Sequence, residues 1–329
     1  MPALFAHLPP YAIVLLFFVL HLLVGALLPS RPGYRPLLWM MMDKGARAYE
    51  FRLNRSDRGN RTLAVRGGIV TALLGLAALL IGLVVWRAGL HGFGWLLSLL
   101  LLGGAVSAMR HVRRLRDAAG WLEKNTTAPL AALLQADGNE DFAKADSHTL
   151  ARRVLERAAG SINRECVAPL FYFLLAGPVG LCLYVAFLAV FDAFGRAAYF
   201  GRMPRMLEAV LDFIPARLTA IALSLGALFV SRSNPLAGLK LALTQSSRFW
   251  RTNQGWPVAA VAGSLGITLG GPVRDKNNIV TESQWLGAAD TTARIGAPEL
   301  RRGAMLMFTT FLCIIVLVSA AVVVRHKFS

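Results

Sequence analysis

Apolar residues in this chain gather into long uncharged runs instead of alternating with polar ones. Tyr11–Leu28, Gly67–Trp86, Phe93–Met109, Cys166–Phe191 and Gly303–Val324 contain no Asp, Glu, Lys or Arg. Phe213–Ser231 is a sixth run, broken only by Arg217 near its start. Roughly 20 apolar residues cross a hydrocarbon core as a helix. Backbone in lipid must satisfy its own hydrogen bonds, so runs this continuous predict helices, whereas barrel strands would show short alternating segments. The pattern predicts an all-α integral membrane protein: one polytopic domain over 1–329 with about six transmembrane helices, plus amphipathic and re-entrant cytoplasmic helices. Met1–Pro10 holds no basic residue, and no small-x-small site follows the first run, so a cleaved signal peptide is not expected there.

The polar segments between the runs carry the charge. Lys and Arg number 9 in 29–66, 10 in 110–165 and 9 in 232–302, against none in 1–10, one (Arg87) in 87–92 and three in 192–213. That alternation is the positive-inside pattern, and it places the three large basic loops in the cytoplasm and both termini outside. The net charge of +17 therefore reflects topology and does not require nucleic acid as a partner. Whether 192–217 emerges outside or belongs to a re-entrant pair stays open on the sequence.

Within the loops, Leu37–Leu53 reads as an amphipathic helix whose Trp39-Met40-Met41-Met42 cluster suits a membrane surface. It follows Pro29-Ser30-Arg31-Pro32-Gly33. The loop 110–165 reads as mostly helical, with an acidic break at Ala136–Asp146 and an N-cap at Ser147. Thr252–Val273 is uncharged but punctuated by Gly255-Trp256-Pro257, Gly263, Gly266 and Gly270-Gly271-Pro272. Such a segment suits a re-entrant or packed cytoplasmic hairpin better than a lipid-facing span. No internal repeat supports an inverted-repeat transporter.

Candidate chemistry is sparse. Cys166, Cys182 and Cys313 lie in apolar runs without CxxC spacing, so they are expected to be structural thiols, and no metal ligand set is identifiable. There is no GxxxxGK[ST] and no GxGxxG. On a helix leading into the fourth run, Arg153, Arg157 and Arg164 fall within about 40° of one another, with Arg152, Glu156 and Asn163 on an adjacent face. A row of guanidinium groups suits phosphate oxygens, or equally lipid headgroups. Arg217, at membrane depth, is expected to be paired, and an ion pair with Asp192 is the simplest account.

Three stretches carry a resemblance. Val167-Ala168-Pro169-Leu170-Phe171-Tyr172 with Leu175-Ala176-Gly177-Pro178, then Ile214-Pro215-Ala216-Arg217-Leu218-Thr219-Ala220, resemble the CobD/CbiB family of adenosylcobinamide-phosphate synthases. So does Asn253-Gln254-Gly255-Trp256-Pro257, running on to Gly270-Gly271-Pro272 and Trp285-Leu286-Gly287. The chain departs from the family pattern Glu-x-x-x-Glu-Asn-x-x-Asp: it keeps Glu156 but has Gly160, Ser161 and Arg164. It also has Arg35-Pro36-Leu37 where the family has His-Pro-Val. The Ile162-Asn163-Arg164 sequence is similar to the AmpE branch of the same superfamily, membrane proteins linked to cell-wall sensing.

The resemblance implies a multi-pass enzyme of a bacterial inner membrane in late cobalamin assembly. It would join adenosylcobyric acid, a corrinoid, to aminopropanol or its phosphate through an amide, with ATP and Mg²⁺ as cofactors. It also implies site roles: Glu156 and Asn163 as catalytic groups, and Arg153, Arg157, Arg164 and Arg217 as anion clamps. Asn253, Trp256, Pro257, Gly270 and Gly271 would shape the binding site. Other cobalamin-pathway membrane enzymes are possible neighbours besides lipid. The alternative is a non-catalytic AmpE-like regulator or pathway scaffold, and an anion transporter is a weaker third reading.

Overall fold

A computed structural model describes residues 10–25, 37–55, 57–91, 94–136, 142, 145–249, 253–274, 280–281 and 284–327. The segments Pro29–Gly33 and Arg35-Pro36, and residues 137–141 and 143–144 of the acidic break, lie outside them. Among the described residues the regular elements are helices and four two-residue strands. By length and composition four helices can cross a membrane: Asn60–Gly89, Trp95–Glu123, Ser147–Phe194 and Ala297–Ala320. Counting the pair Arg202–Leu211 and Phe213–Phe229, bent by 45°, makes five, compared with the six runs expected. The first run forms α1 (Pro10–Gly25), a shorter apolar helix. The chain divides into two compact units.

The first unit contains α1 up to His21, α2 (Leu37–Leu53), α3 (Asn60–Gly89), α4 (Trp95–Gly103), the segment from Arg164 through α8 (Ala168–Phe194), and α9 (Arg202–Leu211). The helix α2 occupies the span its amphipathic pattern predicts. Its Met41 is exposed, while Met42 packs against a core of Ala78, Cys182 and Ala186. α3 buries a stripe of mostly small residues, Gly67, Val70, Thr71, Gly75, Ala78 and Gly82, and turns Leu73, Leu76, Leu80 and Leu83 outward. Small residues let two backbones approach closely where lipid offers no hydrophobic drive between helices. The partner is α8: a Cβ on Gly75 would fall 2.9 Å from the Phe187 ring, and one on Gly82 would fall 2.6 Å from Val179 Cα.

α8 is not one straight rod. Ala176 (φ −137°, ψ 21°) and Gly177 (φ 59°, ψ −147°) leave helical geometry, and Pro178 follows with no N–H to donate. Gly177 adopts a backbone region that only glycine enters cheaply. The consequence is a fold-back. Tyr172 stacks on Tyr184 with ring centroids 5.1 Å apart, and Arg164 reaches Asp192 at 2.8 Å. Twelve and 28 residues of straight helix would separate those pairs by about 18 and 42 Å. The fourth apolar run is therefore a helical hairpin.

The second unit contains α5 (Ala108–Glu123), α6 (Ala128–Ala136), α7 (Ser147–Ile162), α10 (Phe213–Gly226) from Ile214 onward, α11 (Pro235–Gln245), α12 (Gly255–Leu265) and α13 (Ala297–Lys327). α7 starts one residue earlier than expected: Asp146 is the N-cap, accepting from the Thr149 N–H at 3.3 Å. α12 is buried around nearly its whole circumference and packs on α11. At that contact Gly263 passes so close to Ala237 that no Cβ would fit. Within the uncharged stretch, described from residue 253 on, α12 thus packs with α11 as a helix pair, and Thr252 lies outside the described residues. After it, β1 (Leu269–Gly270) pairs antiparallel with β4 (Trp285–Leu286), and β2 (Val273–Arg274) with β3 (Val280–Thr281).

Candidate functional site

Successive polar groups on α7 share one stripe. Arg152, Arg153, Glu156, Gly160 and Asn163 span about 100° of the helical wheel, all within the second unit. Glu156, 5 % exposed, anchors the stripe. Its Oε2 accepts from Arg153 Nη1 at 2.5 Å, and its Oε1 accepts from the Gly270 N–H at 2.7 Å. Arg152 Nε stands 3.9 Å from Oε1. Arg153 Nη2 donates to the carbonyls of Gly271 (3.0 Å) and Pro272 (2.8 Å). Glu156 and Arg153 together therefore fasten the Gly270-Gly271-Pro272 turn. Glu156 lies ten residues before the apolar run. Burial pushes its carboxyl above the ordinary carboxylate range, while Arg153 and the Gly270 N–H pull it back.

The turn needs its glycines. Gly271 has φ 80°, and a Cβ there would enter the Trp285 ring at 2.6 Å. Trp285 in turn carries the Arg152 guanidinium over its face at 4.8 Å. Arg152 Nε is buried without a hydrogen-bond partner among the described residues, so a cation with donor capacity sits beside an aromatic plate.

Further along the stripe Gly160 leaves room for Gln254, whose Oε1 lies 3.1 Å from where a Cβ would be. Asn163, with no exposed surface, meets Thr219 Oγ1 at 3.0 Å through Oδ1, and its Nδ2 has no hydrogen-bond partner among the described residues. Thr219 Oγ1 is also 2.8 Å from the Pro215 carbonyl. Arg217 lies over the Trp256 ring at 4.4 Å. Asn253 is buried just before α12, and Pro257 is buried in its first turn.

The structure thus gathers Arg153, Glu156, Gly270 and Gly271, and it pairs Arg217 with Trp256. The row of three arginines does not stay together. Arg157 donates to the Leu134 carbonyl of α6, with its guanidinium 5.3 Å from the Phe142 ring centroid. Arg164 belongs to the first unit, where it pairs with Asp192 and covers Phe191 at 5.1 Å. Asp192 pairs with Arg164, and Arg217 stacks on Trp256. Trp285, Thr219 and Gln254 join the site without having been singled out for it. All three lie inside the quoted motifs, which was the available signal.

Charge at the site is mainly cationic. Among the described residues no group of three His, Cys, Asp or Glu side chains can surround a metal. Glu156, the carboxylate of the stripe, has both oxygens engaged. These donors do not fit a protein-held Mg²⁺. Arg152 and Arg217, each stacked on a tryptophan, fit phosphate or carboxylate oxygens.

A family model described as CobD/Cbib protein matches residues 14–324. The cobalamin biosynthesis protein CobD of Dehalococcoides mccartyi (strain CBDB1) is 27% identical over 265 residues, covering 78% of this chain and 84% of that protein. Its namesake in Klebsiella pneumoniae subsp. pneumoniae is 27% identical over 266 residues (78% and 81%). That of Brucella melitensis biotype 1 is 30% identical over 271 residues (73% and 78%). No solved structure matches. The chain belongs to the CobD/CbiB family.

Proposed function

We propose that this chain serves cobalamin biosynthesis as a membrane amide ligase, joining adenosylcobyric acid to aminopropanol or its phosphate at the expense of ATP. One observation carries the reading. The Gly-Gly-Pro turn that the family match covers is fastened to α7 by Glu156 and Arg153, beside Arg152, whose guanidinium lies over the Trp285 ring that Gly271 touches.

The reaction divides into two balanced steps. A propionate carboxylate oxygen attacks the γ-phosphorus of ATP, giving an acyl phosphate and ADP. The amine nitrogen then attacks the acyl carbon, the C–O bond to phosphate breaks, and amide, inorganic phosphate and a proton result. Both steps gather negative charge on phosphoryl oxygens, where preorganised cations lower the barrier. Arg152 and Arg217 supply that charge. Glu156 acts as the orienting group that fixes the turn, and Asn163 offers its unspent amide hydrogens. Mg²⁺ would enter with the nucleotide, neutralising its phosphates.

Purified protein given ATP, Mg²⁺, adenosylcobyric acid and aminopropanol phosphate is expected to yield the amide by mass spectrometry. No product above a boiled control, while a working synthase gives product in parallel, refutes the reading. A second reading, a non-catalytic regulator or scaffold, draws support from the engagement of both Glu156 oxygens within the protein. It predicts that deleting the gene leaves cobalamin output unchanged.

A further inference from the structure

The fold-back at Gly177 changes which side of the membrane the chain reaches. We infer that the hairpin 166–194 is re-entrant: it enters the bilayer from the cytoplasmic face, turns inside it, and returns to the same face, so that 195–212 is cytoplasmic.

Contacts within the first unit carry this. α3 is bounded by Arg66 and Arg87, with 20 uncharged residues between them, so it serves as a ruler across the hydrocarbon. Phe200, after the hairpin, packs at Gly67, beside Arg66. Phe187 packs at Gly75, and Val179 at the hairpin tip packs at Gly82. The returning leg therefore runs antiparallel to α3 from Gly82 back to the Arg66 end. The tip stops five residues short of Arg87, about 7 Å of helix. The entering leg begins at the same level as the returning one ends, because Arg164 bonds Asp192 at 2.8 Å. Ser107, where the chain leaves α4, also meets that base, donating its hydroxyl to Glu165 at 2.7 Å.

A non-helical break inside a bilayer is tolerated only against protein. Here the break lies on α3: the Gly82 site has room for Val179 Cα and the Pro178 carbonyl but not for a Cβ. Charge agrees. Arg66 belongs to a loop with nine Lys/Arg, so its end of α3 is cytoplasmic, and the fold-back adds Arg196, Arg202 and Arg205 to that side. The next basic loop, 232–302 with nine Lys/Arg, then stays cytoplasmic only if 213–231 also fails to cross. The bent α9–α10 pair suits such a segment. The inference does not depend on the ligase reading.

The test is sided labelling of single cysteines in full-length protein with Cys166, Cys182 and Cys313 replaced by alanine. Ala198→Cys and Tyr199→Cys probe the exposed segment after the hairpin, His91→Cys marks the α3–α4 loop, and Lys124→Cys marks the loop after α5. A membrane-impermeant maleimide is applied to intact spheroplasts and to inverted vesicles. The expected result is that both probes label with Lys124→Cys, from inverted vesicles only. Labelling of either probe in spheroplasts together with His91→Cys overturns the inference, and so does failure of both to label in inverted vesicles where Lys124→Cys does. Two independent positions keep the result readable should one variant not accumulate.

Discussion

Glu156→Ala should loosen the Gly270-Gly271-Pro272 turn before it does anything else. The substitution removes both oxygens that accept from Arg153 Nη1 and the Gly270 N–H, and it leaves Arg153, 4 % exposed, without its carboxylate. Removing one partner of a buried ion pair costs about 3–5 kcal/mol, chiefly because the surviving charge stays buried. Locally, a hydrogen bond to a charged group contributes about 1.5–3 kcal/mol. If the Gly270 amide is protected by that bond, its loss should speed local hydrogen exchange about tenfold to a hundredfold, at about 1.4 kcal/mol per factor of ten. Glu156→Gln keeps an acceptor for the amide and should recover part of the protection. Exchange followed by mass spectrometry on a peptide spanning 268–274 reads the effect, with a peptide from α3 as an internal reference. Unchanged exchange at 268–274 in a Glu156→Ala protein whose α3 stays protected would refute the idea that this carboxylate holds the turn.

Other substitutions test the packing more directly. Gly271→Ala places a Cβ 2.6 Å from the Trp285 ring at φ 80°; it should cost about 1 kcal/mol or more from backbone strain alone and lower the thermal midpoint in detergent. Gly82→Leu should lower that midpoint strongly, since a Cβ already falls 2.6 Å from Val179 Cα, whereas Gly68→Ala, with open space around it, should leave it unchanged or raise it. Asp192→Asn leaves the buried Arg164 charge with a neutral partner and should destabilise by up to about 3–5 kcal/mol, while the double variant Arg164→Met with Asp192→Leu should recover much of the loss, as read by thermal aggregation.

Hydropathy located the helices well because it reports how much apolar chain is present, and the limits of α2 and the apolar runs follow from that. It cannot report direction. Cys166–Phe191 has 26 uncharged residues, enough for one tilted crossing or for two short legs. The distinction rests on Gly177-Pro178, where a glycine-only backbone state meets a residue that cannot donate. A Gly-Pro step also occurs in helices that merely kink, so the run alone is ambiguous. What resolves it is long-range: Tyr172 on Tyr184, Arg164 on Asp192, and the glycine stripe of α3 that receives the returning leg.

The arginine row shows the matching limit at the level of the site. Arg153, Arg157 and Arg164 share a helical face only if the helix keeps its 3.6-residue turn and the face meets one neighbour throughout. Neither condition holds. Asn163–Val167 is a π-helical turn, which adds residues per turn and rotates everything after it, Arg164 included. The helix α7 meets the glycine turn near Arg153 but α6 near Arg157, because a helix of 16 residues is about 24 Å long and outruns any single partner. The face that does hold together is the adjacent one, Arg152, Glu156, Gly160 and Asn163, where one carboxylate is enclosed by cations and a backbone amide. A buried carboxylate retained at that expense is spent on fixing geometry. If the chain is a ligase, its phosphoryl chemistry therefore falls to the groups with donors to offer, Arg152, Arg217 and Asn163, of which Arg152 Nε and Asn163 Nδ2 are buried without a hydrogen-bond partner among the described residues.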